Sequence, residues 1–117
     1  MQVISKPWGR EEIWADVPGK YLGKYLVIYE GGTLSEQYHR LKHETVMCVE
    51  GVVFLDIWDH QYGDYMCREM QHGVSYYIPA GIAHRMYCDA NQGGKVLEVS
   101  TYHPDDVVRL KDRYGRS

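Results

Sequence analysis

Short segments rich in tyrosine, valine and tryptophan recur along this chain, and glycine, asparagine or proline separates each from the next. The predicted strands are residues 22–30, 44–49, 52–58, 65–70, 74–78, 84–88 and 95–102. Turn signals fall between them about every ten residues, a spacing typical of an all-β sandwich or barrel. Only the tail from Pro104 has a composition that favours a helical turn. We therefore expect an all-β protein built around one core.

Length, composition and charge narrow the possible functions. The chain has 117 residues, which favours a single domain over residues 1–117. Its net charge of -3 gives no basic surface, so we expect no nucleic-acid partner. No apolar run reaches the roughly 18 residues of a membrane span, and no signal peptide is evident. We therefore expect a cytoplasmic protein with no membrane partner.

The three cysteines, Cys48, Cys67 and Cys88, are widely spaced and form no C-x-x-C pair. Neither a disulfide framework nor a cysteine zinc site is expected from that pattern. We expect all three to be buried structural thiols.

The stretch "GGTLSEQYHRLKHETVMCVEG", residues 31–51, places Gln37, His39 and Glu44 close together between glycines. On a strand, side chains alternate between faces, so Gln37 and His39 would point the same way. A tight return across residues 40–43 would bring Glu44 back to that face. A single strand histidine is more often hydrogen-bonded within the fold than a ligand, so a metal site and a polar loop both stay open.

A second stretch, "GVSYYIPAGIAHRMYC" at residues 73–88, ends one strand in a proline turn and begins the next with His84. The two stretches resemble the two motifs of the cupin family, G-x5-H-x-H-x3-4-E-x6-G and G-x5-P-x-G-x2-H-x3-N. The matching positions are Gly31, Gln37, His39, Glu44, Gly51, Gly73, Pro79, Gly81 and His84. Gln37 replaces the first histidine, and Cys88 stands where asparagine is usual.

The cupin resemblance implies a fold and a metal site. The fold is the double-stranded β-helix, a jelly-roll sandwich or barrel. The expected ligands of one divalent metal ion are Gln37, His39, Glu44 and His84. This nitrogen and oxygen shell suits zinc, our first expectation, and also manganese, iron, cobalt or nickel. The alternative is that the same residues only hydrogen-bond inside the barrel.

Further segments resemble one branch of the cupins. They are "KPWG" at 6–9, "LSEQYH" at 34–39, "YYIPAGIAHR" at 76–85, "LEVSTY" at 97–102 and "DDVVRLKDRYGR" at 105–116. In this order they are similar to the isomerase domain of bifunctional mannose-6-phosphate isomerase/mannose-1-phosphate guanylyltransferases. Leu41 and Lys42 depart from it, because the family usually carries histidine and arginine there.

This narrower resemblance implies an aldose–ketose isomerase, which needs a base and an electrophile that stabilises an enediolate. Glu98 is the expected base, Arg109 matches a family arginine that could hold the phosphate or the enediolate, and Lys42 adds a second cation. Strand alternation puts Glu98 on the face opposite Leu97 and Val99, and it leaves open which face is inside. Surface solvation or a surface ion pair is the alternative for all three.

The function expected first is metal-dependent isomerisation of mannose 6-phosphate or a related sugar phosphate, with a metal-stabilised enediolate. The alternatives are a sugar-binding or regulatory cupin without turnover, and another small-molecule cupin enzyme such as an epimerase or a dioxygenase. The expected partners are a small sugar phosphate and a second copy of the chain. The resemblance implies a homodimer, and pairing of exposed edge strands gives it a physical basis.

Overall fold

The computed structural model describes residues 1–116, which form eleven β-strands and contain no helix. The strands are β1 (Gln2–Lys6), β2 (Gly9–Val17), β3 (Tyr21–Ile28), β4 (Glu36–Tyr38), β5 (Glu44–Gly51), β6 (Phe54–Asp59), β7 (Asp64–Glu69), β8 (Ser75–Ile78), β9 (His84–Tyr87), β10 (Gly94–Thr101) and β11 (Val108–Lys111). All seven predicted strands are present, with ends shifted by a few residues. The all-β prediction is confirmed.

The strands form two antiparallel sheets. The six-stranded sheet has the order β1-β2-β3-β10-β5-β8, and the five-stranded sheet has the order β11-β4-β9-β6-β7. From β8 onward, successive strands alternate between the two sheets. This crossing back and forth brings residues that are distant in sequence onto the facing inner surfaces.

One end of the interior is apolar and the other is polar. Leu26, Val96 and Cys48, from β3, β10 and β5, are almost completely buried, and Leu55 and Met86 cover them from the second sheet. This is the ordinary result of strand alternation when one face of each sheet is covered.

The inward-facing residues of strand β10 change from apolar to polar along the strand. Val96, Glu98 and Ser100 are buried, whereas Val99 is 43% exposed. The face with the carboxylate is therefore the inner one, which settles the alternative that the sequence left open. A buried charge needs partners, and Glu98 has them in Lys24 and Lys42.

The expectation of a helical turn after Pro104 is wrong. Residues Val108–Lys111 form β11, which pairs with β4 along the edge of the five-stranded sheet. The pairing satisfies the backbone groups of β4, a strand of three residues that would otherwise be an open edge. The hairpin of β1 and β2 was also not predicted, because charged residues and Pro7 interrupt its apolar pattern.

The cysteines follow the expectation in part. All three are free, and Cys48 and Cys88 are buried. Cys67 is exposed, so the expectation of a buried thiol is wrong there. It lies on β7, the last strand of its sheet, where most side chains face solvent.

Candidate functional site

Three buried side chains form a group that could hold a metal ion. His39, Glu44 and His84 each offer one ligand atom, and these atoms lie within 4.8 Å of one another. The Oε1 atom of Glu44 is 3.2 Å from Nε2 of His84 and 3.6 Å from Nε2 of His39. His39 follows β4, Glu44 opens β5 and His84 opens β9, so both sheets contribute.

Hydrogen bonds on the far side of each imidazole fix which nitrogen faces the centre. Nδ1 of His39 lies 2.5 Å from the carbonyl oxygen of Asp106, and Nδ1 of His84 lies 2.9 Å from that of Ile82. A carbonyl only accepts, so both Nδ1 atoms donate and both Nε2 atoms are left with a lone pair when the rings are neutral.

These lone pairs point toward the Glu44 carboxylate. Acceptors at such distances repel unless a cation lies between them, either a metal ion or a proton on the imidazole. Two neutral imidazoles and a carboxylate are a donor set that divalent transition metals accept. The residues present therefore fit a metal ion.

Asp106 supports this centre from the far end of the chain, and the sequence analysis did not assign it a role. Its carboxylate oxygens accept the backbone N–H groups of Arg40, Leu41 and Lys42 at 3.0, 2.8 and 2.9 Å. The Lys42 N–H is the largest cause lowering the pKa of Asp106 to about 2. This grip shapes the tight return that brings Glu44 back toward His39.

Gln37 is the expected ligand with the least direct support. Its Cα is paired with that of His84 across β4 and β9 and with that of Arg109 across β4 and β11. Residues directly opposite in antiparallel strands project to the same face, and all three side chains line one cavity. Ligation by Gln37 stays a prediction.

Lys42 and Glu98 continue the site inward as buried ion pairs. Lys42 Nζ lies 3.2 Å from Oε2 of Glu98 and 3.3 Å from Oε2 of Glu44. Burial by itself would lower the pKa of Lys42, but the attraction of Glu98 and Glu44 outweighs it and raises that pKa. Lys42 is therefore a charged partner of both carboxylates.

At Glu98, in contrast to Lys42, the effect of burial outweighs the attraction of the oppositely charged neighbours. Burial and the repulsion of Glu44 raise its pKa, and the attraction of Lys42 and Lys24 opposes the rise. Glu44 behaves differently: burial would raise its pKa, but its interactions with the imidazoles of His39 and His84 and with the charge of Lys42 hold it well below its usual value. The site thus contains two carboxyl groups of different basicity, a pattern frequent in catalytic sites.

A second lysine reaches Glu98 from β3. Lys24 is buried, and its Nζ lies 3.1 Å from Oε2 of Glu11 and 3.9 Å from Oε2 of Glu98. Sequence reasoning missed this pair. The signal was a lysine on the inward-facing register of an otherwise apolar strand, between Leu22 and Leu26.

The cavity that contains these groups has a volume of about 130 Å³. Its other lining residues include Lys6, Trp8, Arg109 and Arg116. The volume is below the roughly 300–1,000 Å³ typical of sites that enclose a drug-sized ligand. A sugar bound here would therefore be only partly enclosed.

Three of the other four histidines contact groups outside this centre. His43 is exposed and its Nδ1 contacts the hydroxyl of Tyr77 at 3.3 Å, while His60 contacts the indole of Trp58 and His72 contacts the carbonyl of Gly51. Each of these three histidines has a local partner.

Comparison with known proteins places the chain in a family. Residues 1–112 match the family described as mannose-6-phosphate isomerase C-terminal. Mannose-1-phosphate guanylyltransferase of Escherichia coli strain K12 is 32% identical over 121 residues, covering 97% of this chain and 23% of that protein. Alginate biosynthesis protein AlgA of Pseudomonas aeruginosa is 31% identical over 120 residues, with the same coverage. The chain spans about a quarter of the length of these curated relatives.

Solved structures support the fold. CapF from Staphylococcus aureus, a capsular polysaccharide assembling protein, matches with a TM-score of 0.76 and 16% identity over 95% of this chain and 32% of that chain. A variant of Bacillus subtilis oxalate decarboxylase matches with a TM-score of 0.75 and 15% identity over 99% of this chain and 32% of that chain. Among the described residues, no helix is long and apolar enough to cross a membrane. The chain has the cupin fold and belongs to the mannose-6-phosphate isomerase C-terminal family.

Proposed function

We propose that the chain is a metal-dependent aldose–ketose isomerase acting on mannose 6-phosphate or a related sugar phosphate in the cytoplasm. One observation carries the proposal: the buried carboxylate Glu98 lies in the same cavity as the His39, Glu44 and His84 group, and Lys42 contacts both Glu98 and Glu44. Isomerisation needs a base beside an electrophile. Family membership points to the same chemistry.

The metal ion would be held by His39, Glu44 and His84, with Gln37 as the proposed fourth ligand. When bound, it would supply an electrophile that stabilises negative charge developing on the substrate's oxygens. Zinc is our first expectation, with manganese, iron, cobalt and nickel as alternatives.

Glu98 is the proposed base that moves a proton between carbons 1 and 2. Its pKa is raised by burial and by the repulsion of Glu44, which brings a carboxylate closer to the basicity that proton transfer near neutral pH requires. The ammonium groups of Lys42 and Lys24 fix the position of Oε2.

Lys42 takes a different role from the one the family resemblance suggested. Because its ammonium is buried between Glu44 and Glu98, we propose that it positions these carboxylates and does not hold the phosphate. Arg109 is the better candidate for an anionic oxygen of the substrate, since it lines the cavity next to Gln37 in the sheet and its planar fork suits phosphate.

The relatives leave the reaction open. Those compared above carry the names of a guanylyltransferase and an alginate biosynthesis protein, and this chain corresponds to about a quarter of each. We therefore test the isomerase directly. Purified protein is reconstituted separately with zinc, manganese, cobalt, nickel and iron(II), and conversion of mannose 6-phosphate to fructose 6-phosphate is measured beside a chelated control.

Metal-dependent turnover above about 1 per second would establish the isomerase, because typical enzymes lie at or above that rate. Turnover should disappear in the His39→Ala, Glu44→Ala and His84→Ala variants. Activity retained in all three would overturn the proposed site.

A second candidate is a sugar-binding or regulatory cupin without turnover. The specific observation in its favour is that two lysines, Lys24 and Lys42, neutralise Glu98. Saturable sugar binding with a bound metal and no isomerised product would support this reading. A homodimer stays a prediction, to be checked by the mass of the protein in solution.

A further inference from the structure

We propose that Lys6 anchors an anion at the open end of the cavity and that this anion is the phosphate of the sugar. The proposal rests on the sugar-phosphate substrate proposed above and adds the residue that selects it. Lys6 is the first residue of the "KPWG" segment quoted above, and the resemblance gave it no role in binding or catalysis.

The first hairpin holds Lys6 in place. Lys6 is the last residue of β1 and pairs with Gly9 across a two-residue turn. Trp8 in that turn is only 3% exposed, and its carbonyl accepts the N–H of Tyr29 at 3.0 Å. A Cβ atom at Gly9 would lie 1.9 Å from the carbonyl oxygen of Val27, so the hairpin packs directly onto β3. The turn is therefore fixed, and Lys6 lines the cavity from it.

Lys6 differs from the other cations of the cavity in having no partner. The cations that line it are Lys6, Lys24, Lys42, Arg109 and Arg116. Lys24 pairs with Glu11, Lys42 pairs with Glu44 and Glu98, and Arg116 pairs with Asp112. Within residues 1–116, Lys6 forms no hydrogen bond or ion pair. Its charge is balanced by nothing that the structure describes.

The acidic groups of the cavity are already engaged. Glu11 and Glu98 contact lysines, Glu44 contacts Lys42 and the two histidines, and Asp106 accepts three backbone N–H groups. None of these contacts includes Lys6. The natural partner of its ammonium is therefore an anion that arrives from solution, and a lysine binds phosphate as a compact point charge.

The position of Lys6 fits the far end of a sugar phosphate. Lys6 lies on β1 and Arg109 on β11, which are edge strands of the two sheets. Both side chains are partly exposed, whereas Lys24 and Lys42 are buried. We call the rim between Lys6 and Arg109 the cavity mouth. A cavity of about 130 Å³ encloses the reacting end of the sugar and leaves a terminal phosphate at this mouth.

The test measures binding separately from turnover. The full chain, loaded with zinc, is titrated calorimetrically with mannose 6-phosphate, mannose and inorganic phosphate. Lys6→Gln should weaken mannose 6-phosphate binding at least about tenfold, as expected for a lost hydrogen bond to a charged group, and should leave mannose affinity unchanged. Lys6→Arg should restore most of the loss. Lys20→Gln, an exposed lysine in the turn between β2 and β3, is the matched control.

Labelling of the unaltered protein provides a measurement that no folding defect can disturb. Acetylation of Lys6, followed by mass spectrometry, should slow in the presence of mannose 6-phosphate or inorganic phosphate, while acetylation of Lys20 should not. The proposal would be overturned if Lys6→Gln weakened the binding of mannose and of mannose 6-phosphate equally, or if neither phosphate ligand slowed the acetylation of Lys6. It would also be overturned if the unaltered protein bound mannose 6-phosphate no more tightly than mannose. Phosphate-dependent binding through Lys6 without fructose 6-phosphate formation would retain the anion site and overturn only the isomerase.

Discussion

The Nζ atom of Lys42 lies 3.2 Å from Oε2 of Glu98, and both side chains are buried. Removing one member of a buried pair leaves the other charge uncompensated, which typically costs about 3–5 kcal/mol. Lys42→Met should therefore lower the free energy of unfolding by an amount of that order in urea titrations. Lys42→Met combined with Glu98→Leu should cost less than the sum of the two single changes, and strict additivity would show that the pair is not coupled.

The metal centre should depend on the imidazoles that face Glu44. His39→Ala and His84→Ala should each lower zinc affinity at least about 100-fold, because loss of an outer partner alone costs 10–100-fold. Competition with a chromophoric chelator measures the affinity, and His72→Ala serves as the control because His72 only contacts the carbonyl of Gly51. Zinc binding that survives both changes would place the metal elsewhere.

Glu98 should matter for turnover and not for metal binding. In an active protein, Glu98→Gln should lower kcat about 10²–10⁴-fold, the usual contribution of a general base. Zinc stoichiometry, measured by elemental analysis, should stay the same. Glu50→Gln, an exposed glutamate on β5, should leave kcat unchanged; an equal loss in both variants would mean that the effect is not local.

Asp106 should make the free energy of unfolding depend on pH in the acid range. Its pKa in the folded protein is about 2, below the ordinary 3.8, so its stabilising contribution is present above pH 3.8 and is lost as the pH falls toward 2. Chelator-treated protein should lose more stability between pH 4 and pH 2 than the Asp106→Asn variant does. Asp105→Asn, its exposed neighbour, should follow the unaltered protein, and parallel curves for all three would refute the assignment.

Substitutions at two glycines should distinguish the cost of backbone strain from the cost of a steric clash. Gly51 and Gly63 have φ angles of +70° and +63°, but a Cβ atom would meet the Gly93 oxygen at 2.1 Å at Gly51 and open space at Gly63. Gly63→Ala should cost about 1–2 kcal/mol, the usual penalty of the left-handed region. Gly51→Ala should cost clearly more in denaturant unfolding. Equal losses would mean that the β5 end relaxes freely.

The predictable part of the molecule was the part encoded locally. Strand alternation and turn residues located seven strands, and the resemblance to the two cupin motifs indicated the group of His39, Glu44 and His84. Glu98 was different, because its strand has a polar and an apolar face and either could be inside. In the structure the carboxylate is inside, where it contacts Lys24 and Lys42 from other segments of the chain.

The supporting contacts are non-local, and so sequence reasoning did not find them. Asp106 accepts hydrogen bonds from backbone N–H groups that lie 64–66 residues earlier in the chain. The local sequence, two consecutive aspartates at 105 and 106, gives no indication of these distant partners. Lys6 likewise becomes part of the cavity only because the first hairpin packs on β3. Tertiary packing, and not local pattern, assigns both residues their roles.

The grip of Asp106 on residues 40–42 also bears on the order in which the protein folds. Its contacts close a long loop, and such non-local contacts carry a high entropic cost that delays their formation. The same residue holds the imidazole of His39 through its carbonyl oxygen. High-affinity metal binding should therefore be among the last events of refolding. The rate at which the absorption of bound cobalt(II) appears would then report when the native barrel is complete.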